Sequence, residues 1–324
     1  MRLAIALGIA ATLAGCKQSE PEPARRSATP APLPPLPRAS QLPLPPLPAL
    51  ELPPDPKREA KVELGRALFF EQRLAATGDR SCASCHANHT DNAPALWNVA
   101  YFKDGFYRDG RAPTLEATAK AEAGGGDNLD TKAAELAKLP AYRKLFEAAG
   151  YGDVKADQLA EALADYERTL ICNDTRYDKL AAGDKTAMTE QEQRGLDVFA
   201  GKGRCSICHA PPFFSSAMGV DKEMFFNIGI GTAGVADAQV DAGRMKVSNQ
   251  PTDWAAFKPP SLRDITRTAP YFHDGSVGKL DDAVKLMATG GIANRNKTAL
   301  LLDAELTDAE RADLVAFLGT LDCP

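Results

Sequence analysis

One five-residue pattern occurs twice in the chain, as CASCH at Cys82–His86 and as CSICH at Cys205–His209. Cys-x-x-Cys-His is the attachment signature of a c-type haem. Two thiols three residues apart stand on one side of a helical turn, where each can add to one vinyl group of the porphyrin. The histidine that follows then lies beneath the iron as an axial ligand. A thioredoxin-like redox pair has no need of that histidine. A zinc site would have to bring two pairs together, yet each pair here has a histidine of its own. Four of the seven cysteines and two of the four histidines fall in these motifs. The expected cofactors are therefore two covalent haem c groups, held by Cys82, Cys85 and His86 and by Cys205, Cys208 and His209.

The flanking sequence is helical in pattern. "DPKREAKVELGRALFF" opens on Asp55-Pro56, an N-cap and first-turn proline, and sets Ala60, Leu64, Ala67 and Leu68 on one face. "KADQLAEALADYERTLI" does the same with Leu159, Leu163, Tyr166 and Leu170. Thr189 with Glu192, and Thr307 with Glu310, have capping-box spacing, and the helix begun at Thr189 should stop near Gly201. Period-two alternation is scarce. The expected fold is mainly α, with two cytochrome c-like haem domains packed together, long loops and few strands. The domains are expected at 56–185 and 186–324.

Before residue 56 the chain has a different character. Arg2 and the apolar run after it read as an export signal over residues 1–15, and Leu13-Ala14-Gly15-Cys16 resembles a bacterial lipobox with Cys16 as the lipidated residue. A plain secretory signal is the alternative. Residues 17–55 hold 13 of the chain's 24 prolines, so segment 16–55 is expected to be an extended tether, on the order of 100 Å long at about 3.1 Å per residue. A ligand for a polyproline-binding domain is the other reading. Net charge is −5, which gives no support to a nucleic-acid partner. Export permits disulfides, so Cys172 and Cys323 form either a bridge or two buried thiols.

Several further blocks stand in order: "LGRALFFEQRLAATGDRSCASCH", "NAPALWNVAYF", "DYERTLICNDTRYDKL", "GLDVFAGKGRCSICHAPPFF", "FFNIGIG" and "FKPPSLRDITRTAPYFHDGSVGKLDDAVKLM". With them, residues 55–324 resemble the bacterial di-haem cytochrome c peroxidases, a family that also includes the oxidase MauG. The resemblance implies reduction of hydrogen peroxide to water at the N-terminal haem. Electrons would come from a small cytochrome c or cupredoxin through the C-terminal haem. The sixth ligand of the C-terminal iron would be Met287, fourteen residues after His273, in preference to Met218, Met224 or Met245. A tyrosine there would mark the MauG branch. His273 would hydrogen-bond a haem propionate or ligate the open iron. Calcium between the haems would be held by Asn92, Thr268 and Pro270. A periplasmic location follows, lipid-anchored to a membrane, expected to be the outer one, and a homodimer is possible.

The chain also departs from the pattern. The loop that carries a distal histidine in such peroxidases is missing, and His89 is the one histidine nearby. The position of the family's catalytic glutamate falls in "AEAGGGDNLD", which offers Glu122, Asp127 and Asn128. Arg108 stands where the family has a tryptophan between the haems, and Tyr107 is the substitute relay or a core aromatic. Two other functions therefore stay open: an electron-transfer cytochrome without peroxide turnover, and a MauG-like oxidase of a partner protein.

Overall fold

The computed structural model describes residues 38–39, 43–75, 78–86, 92–103, 105–123, 129–152, 154–220 and 224–324. The lipobox, His89, Asp127 and Asn128 lie outside them. Among the described residues the chain is helical, and strand pairing is limited to isolated bridges such as Phe106 with Ala112 and Tyr271 with Val277. No helix there is long and apolar enough to cross a membrane.

Helix α1 (Arg58–Phe69) buries Leu64, Gly65, Leu68 and Phe69. Asp55 caps the turn before it, accepting from the Lys57 amide at 2.8 Å, so the helix starts later than Asp55-Pro56 implies. The partner of α1 is α6 (Ala156–Glu167), with Leu159 and Leu163 fully buried between them. Their backbones nearly touch, since a Cβ on Gly65 would stand 1.8 Å from the Ala162 carbonyl oxygen. Helix α2 is the motif itself, Cys82–His86. Helices α3 (Leu115–Glu122), α4 (Leu129–Ala137) and α5 (Pro140–Ala148) follow, and Leu129, Leu136 and Phe146 close this first core.

The second half repeats the device. Helix α7 (Arg176–Ala181) is followed by α8 (Glu190–Ala200), the short α9 (Met245–Ser248), α10 (Leu280–Ala288) and α11 (Asp308–Leu318). The capping boxes expected at Thr189–Glu192 and Thr307–Glu310 are both made, and Gly201 caps the end of α8. Helix α8 crosses α11 as α1 crosses α6: a Cβ on Gly195 would stand 2.0 Å from the Asp313 carbonyl oxygen. Phe199, Phe214 and Phe317 fill this second core with Tyr177 of α7. Each haem motif thus follows a helix whose glycine lets a second helix approach closely. Gly195→Val should drive α8 from α11 and lower stability by about 1–3 kcal/mol. Thermal unfolding reads this, and an unchanged midpoint would mean that the crossing tolerates a side chain.

Cys172 and Cys323 are joined in a disulfide and both are buried. The tether differs from its sequence reading in its last part. Ala39 and Leu44 pack on the second core, and the Pro48 carbonyl accepts from the Tyr101 hydroxyl at 2.6 Å. Proline lacks an N–H but keeps an apolar ring and a carbonyl, so a Pro/Leu segment without secondary structure can still dock on a core.

Candidate functional site

Within α2 the three motif side chains fall at positions i, i+3 and i+4 of one turn. Nδ1 of His86 lies 2.9 Å from the Pro94 carbonyl oxygen. That contact makes Nδ1 the donor and leaves Nε2 as the basic, ligating nitrogen. The second motif keeps the same register, with the His209 amide bonded to the Cys205 carbonyl at 2.9 Å. Nδ1 of His209 sits 3.1 Å from both Phe214 O and Pro260 O. Burial holds this imidazole below its ordinary pKa, and so neutral. None of the four motif cysteines is in a disulfide. Burial pushes the thiols of Cys205 and Cys208 up to about 12 and about 11. Two thiols outside any disulfide beside one oriented imidazole, made twice, fit covalent haem c.

The surroundings of the two motifs differ. Burial pushes the Cys82 thiol up to about 12, with the carboxylates of Glu167 and Glu122 adding to it, so both acids stand near the first motif. Glu122 ends α3, which Thr114 starts by accepting from the Ala117 amide at 3.0 Å. The Tyr107 hydroxyl donates to Glu122 Oε1 at 2.6 Å. The Arg111 guanidinium lies 3.6 Å from the centre of the Tyr107 ring. Burial, then the bond to Glu122, raises the pKa of Tyr107 well above that of a free phenol. The structure therefore brings together two of the expected catalytic residues, Tyr107 and Glu122.

Arg108 points elsewhere. One of its amino groups donates to the Asn92 carbonyl at 2.6 Å and the other to the His273 carbonyl. The Asn92 side-chain amide donates to Phe272 O at 3.2 Å and His273 O at 3.0 Å. The His273 ring stacks on Phe257, with centroids 4.0 Å apart. Pro270 adjoins Asn92 across Gly275, where a Cβ would meet the Pro270 ring at 3.3 Å and the Asn92 amide nitrogen at 3.4 Å. Met287 is half-buried on α10. Among the described residues one acid cluster has metal-like spacing, Asp55 with Glu161 and Asp165. Lys61 bridges Asp55 and Glu161 at 2.8 and 2.5 Å, so an ammonium already serves that cluster.

The methylamine utilization protein MauG of Methylorubrum extorquens is 33% identical to this chain over 294 residues, covering 82% of the chain and 79% of its own length. The chain belongs to the di-haem cytochrome c peroxidase family. The family model of that description matches residues 59–186. The cytochrome c551 peroxidase of Nitrosomonas europaea is another similar member, 32% identical with 82% of this chain and 81% of that protein covered. A crystal structure of a MauG-like protein associated with microbial copper homeostasis superposes with a TM-score of 0.74. It is 27% identical and covers 86% of this chain and 95% of its own.

Two features of this family member escape sequence reading. Glu167 is a charged residue of "DYERTLI", four residues after Leu163 on α6. It is buried, and burial pushes its carboxyl up to about 8 against the pull of Arg168, with Glu116 and Glu122 adding. Arg263 of "SLRD" is likewise buried and forms a two-pronged ion pair with Asp178 of "TRYDKL", at 2.7 and 2.8 Å. Both residues lie within quoted blocks, but only tertiary structure shows which charges are withdrawn from water.

Proposed function

We propose that this protein is a di-haem c-type peroxidase reducing hydrogen peroxide to water. Residues 56–185 and 186–324 would be its two haem domains. The observation that carries the reading is the Tyr107–Glu122 hydrogen bond beside the CASCH motif. When bound, the haems supply an iron that meets peroxide and a second that stores an electron. Peroxide takes up two electrons and two protons to give two waters. The Glu122 carboxylate is the group suited to accept the first proton and return it to the leaving oxygen. Tyr107 holds Oε1 of Glu122 in place, and Arg111 braces the Tyr107 ring. Met287 would complete the C-terminal iron, its thioether favouring the reduced state, and His273 would bond a propionate.

Further parts rest on the family resemblance. A small cytochrome c or cupredoxin would donate electrons at the C-terminal haem. Tyr107, or direct contact of the haem edges, would carry them between the haems. The protein would sit in the periplasm, held by a lipid on Cys16 to the outer membrane, and would form a homodimer. Calcium would be held between the haems by Asn92, Thr268 and Pro270. The ion takes six to eight oxygen ligands, and the Asn92 side-chain nitrogen, bonded to Phe272 O and His273 O, leaves the side-chain oxygen as the ligand atom.

Half-reduced holoprotein mixed with peroxide should consume one peroxide per two electrons. Absence of consumption would leave the electron-transfer cytochrome. In Cys205→Ala/Cys208→Ala protein the pyridine haemochrome should fall from two haems per chain to one, and turnover with a reduced donor should cease. The 33% identity to MauG favours a second reading, oxidation of a partner protein. Replacement of Met287 by tyrosine should then raise that activity, whereas on the first reading it should depress peroxide turnover.

A further inference from the structure

The stretch "PLPPLPAL" (Pro43–Leu50) carries a periodicity unlike that of the helices. Proline fixes φ at about −65° and pushes the residue before it towards the extended region. Pro45, Pro46 and Pro48 thereby commit the run to polyproline II, which has three residues per turn. Leu44, Leu47 and Leu50 recur at that spacing and so share one edge. Burial follows the same period. The three leucines are half-buried, whereas Pro43, Pro45, Pro46, Pro48 and Ala49 are exposed.

The groups that meet this run come from both halves of the chain. Leu44 packs on the second core. The Pro48 carbonyl accepts from the hydroxyl of Tyr101, a residue that follows the first motif. The Tyr101 ring leans on Phe213, which follows the second motif, with centroids 4.9 Å apart. Gly219 fixes that aromatic pair. Its amide donates to the Tyr101 carbonyl at 2.9 Å, and a Cβ on it would stand 2.4 Å from the Phe213 ring. Beyond Leu50 the chain is tied to α1. Arg58 donates to the Pro53 carbonyl at 2.7 Å, and Lys61 to the Asp55 carboxylate at 2.8 Å. The segment therefore starts on the second core and ends on the first.

Polyproline II has no internal hydrogen bonds, so its carbonyls are free to accept, and aromatic-lined grooves are a recurring way to read it. We propose that Tyr101 and Phe213 form a polyproline-reading site whose ligand is this chain's own residues 43–50, and that the bound segment clasps the two halves together. A ligand joined by a short linker is present at an effective concentration of about millimolar, so a site of modest intrinsic affinity is filled. The same occupancy withdraws Pro43–Leu50 from any polyproline-binding domain on another protein. The inference concerns the clasp alone and stands whether or not peroxide is the substrate.

The test uses full-length holoprotein. Leu44→Ser/Leu47→Ser/Leu50→Ser should lower the thermal midpoint by about 5 °C. It should also speed cleavage after Glu51 by a glutamate-specific protease about tenfold, because the segment is released more often. Tyr101→Phe should show part of both effects. Pro46→Ser/Ala49→Ser, on an exposed edge, should show neither. A synthetic peptide of residues 43–55 at about 5 mM should restore part of the triple variant's midpoint and leave the wild type unchanged. A peptide of the same composition, shuffled so that leucine no longer recurs at every third residue, should restore nothing. A triple variant or a Tyr101→Phe protein that matches wild type in both measurements would overturn the proposal. So would an equal loss from the exposed-edge pair, recovery with the shuffled peptide, no recovery with the true one, or a wild-type midpoint raised by it.

Discussion

Arg263→Met protein should be about 3–5 kcal/mol less stable than wild type, a loss of roughly 10 °C in the unfolding midpoint. Arg263 is fully buried among Tyr177, Phe214 and Pro212, and its charge is matched by one carboxylate, that of Asp178. The pair ties α7 to the loop that leads to the 271–277 turn. Removal of the guanidinium leaves Asp178 ionised, out of water, and supported by Thr175 alone, whose hydroxyl and amide both donate to it. The penalty is that of an orphaned charge more than of a lost contact. Arg263→Met combined with Asp178→Leu should therefore recover most of the loss. The pair also gives a pH signature. Burial works to raise Asp178, but the bonds from Arg263 and Thr175 prevail and hold it below its ordinary 3.8. With a folded pKa below the unfolded one, the contribution is present above about pH 4 and is lost as pH falls through the folded value. Wild type should lose stability in acid more steeply than Asp178→Asn. Equal acid slopes would remove Asp178 from the account.

The helices were legible because their signals are local. Capping boxes at Thr189 and Thr307, and apolar spacing through Leu159 and Leu163, need nothing beyond neighbours within a turn. The haem motifs were legible for the same reason, since five consecutive residues carry both thiols and the imidazole. Gly65 and Gly195 carried no such signal. A glycine inside a helical pattern looks like a weakness until the crossing helix shows why no other residue fits. The expectation for Arg108 followed from its position in an aligned block, whereas its side chain answers to carbonyls from residues 92 and 273. Glu167 shows the same limit, because burial and not spacing sets its protonation.

Glu122→Gln should lower the second-order rate constant for peroxide by about 10²–10⁴-fold, the range for a lost general acid–base group. The amide has the shape of the carboxylate and can still accept from the Tyr107 hydroxyl, so geometry is kept while the proton acceptor is removed. Haem content and the ferric spectrum should be unchanged, which separates a chemical effect from misfolding. Tyr107→Phe tests the other end of the bond. Burial and Glu122 keep the phenol protonated far above neutrality, so Tyr107 donates at every working pH and does not titrate. Its loss should cost about tenfold, close to one charge-assisted hydrogen bond. A Tyr107→Phe protein as slow as Glu122→Gln would make the phenol the proton donor. A Glu122→Gln protein at the wild-type rate would take the carboxylate out of peroxide cleavage altogether, because a group that moves no proton in the rate-determining step cannot be missed when its basicity is removed.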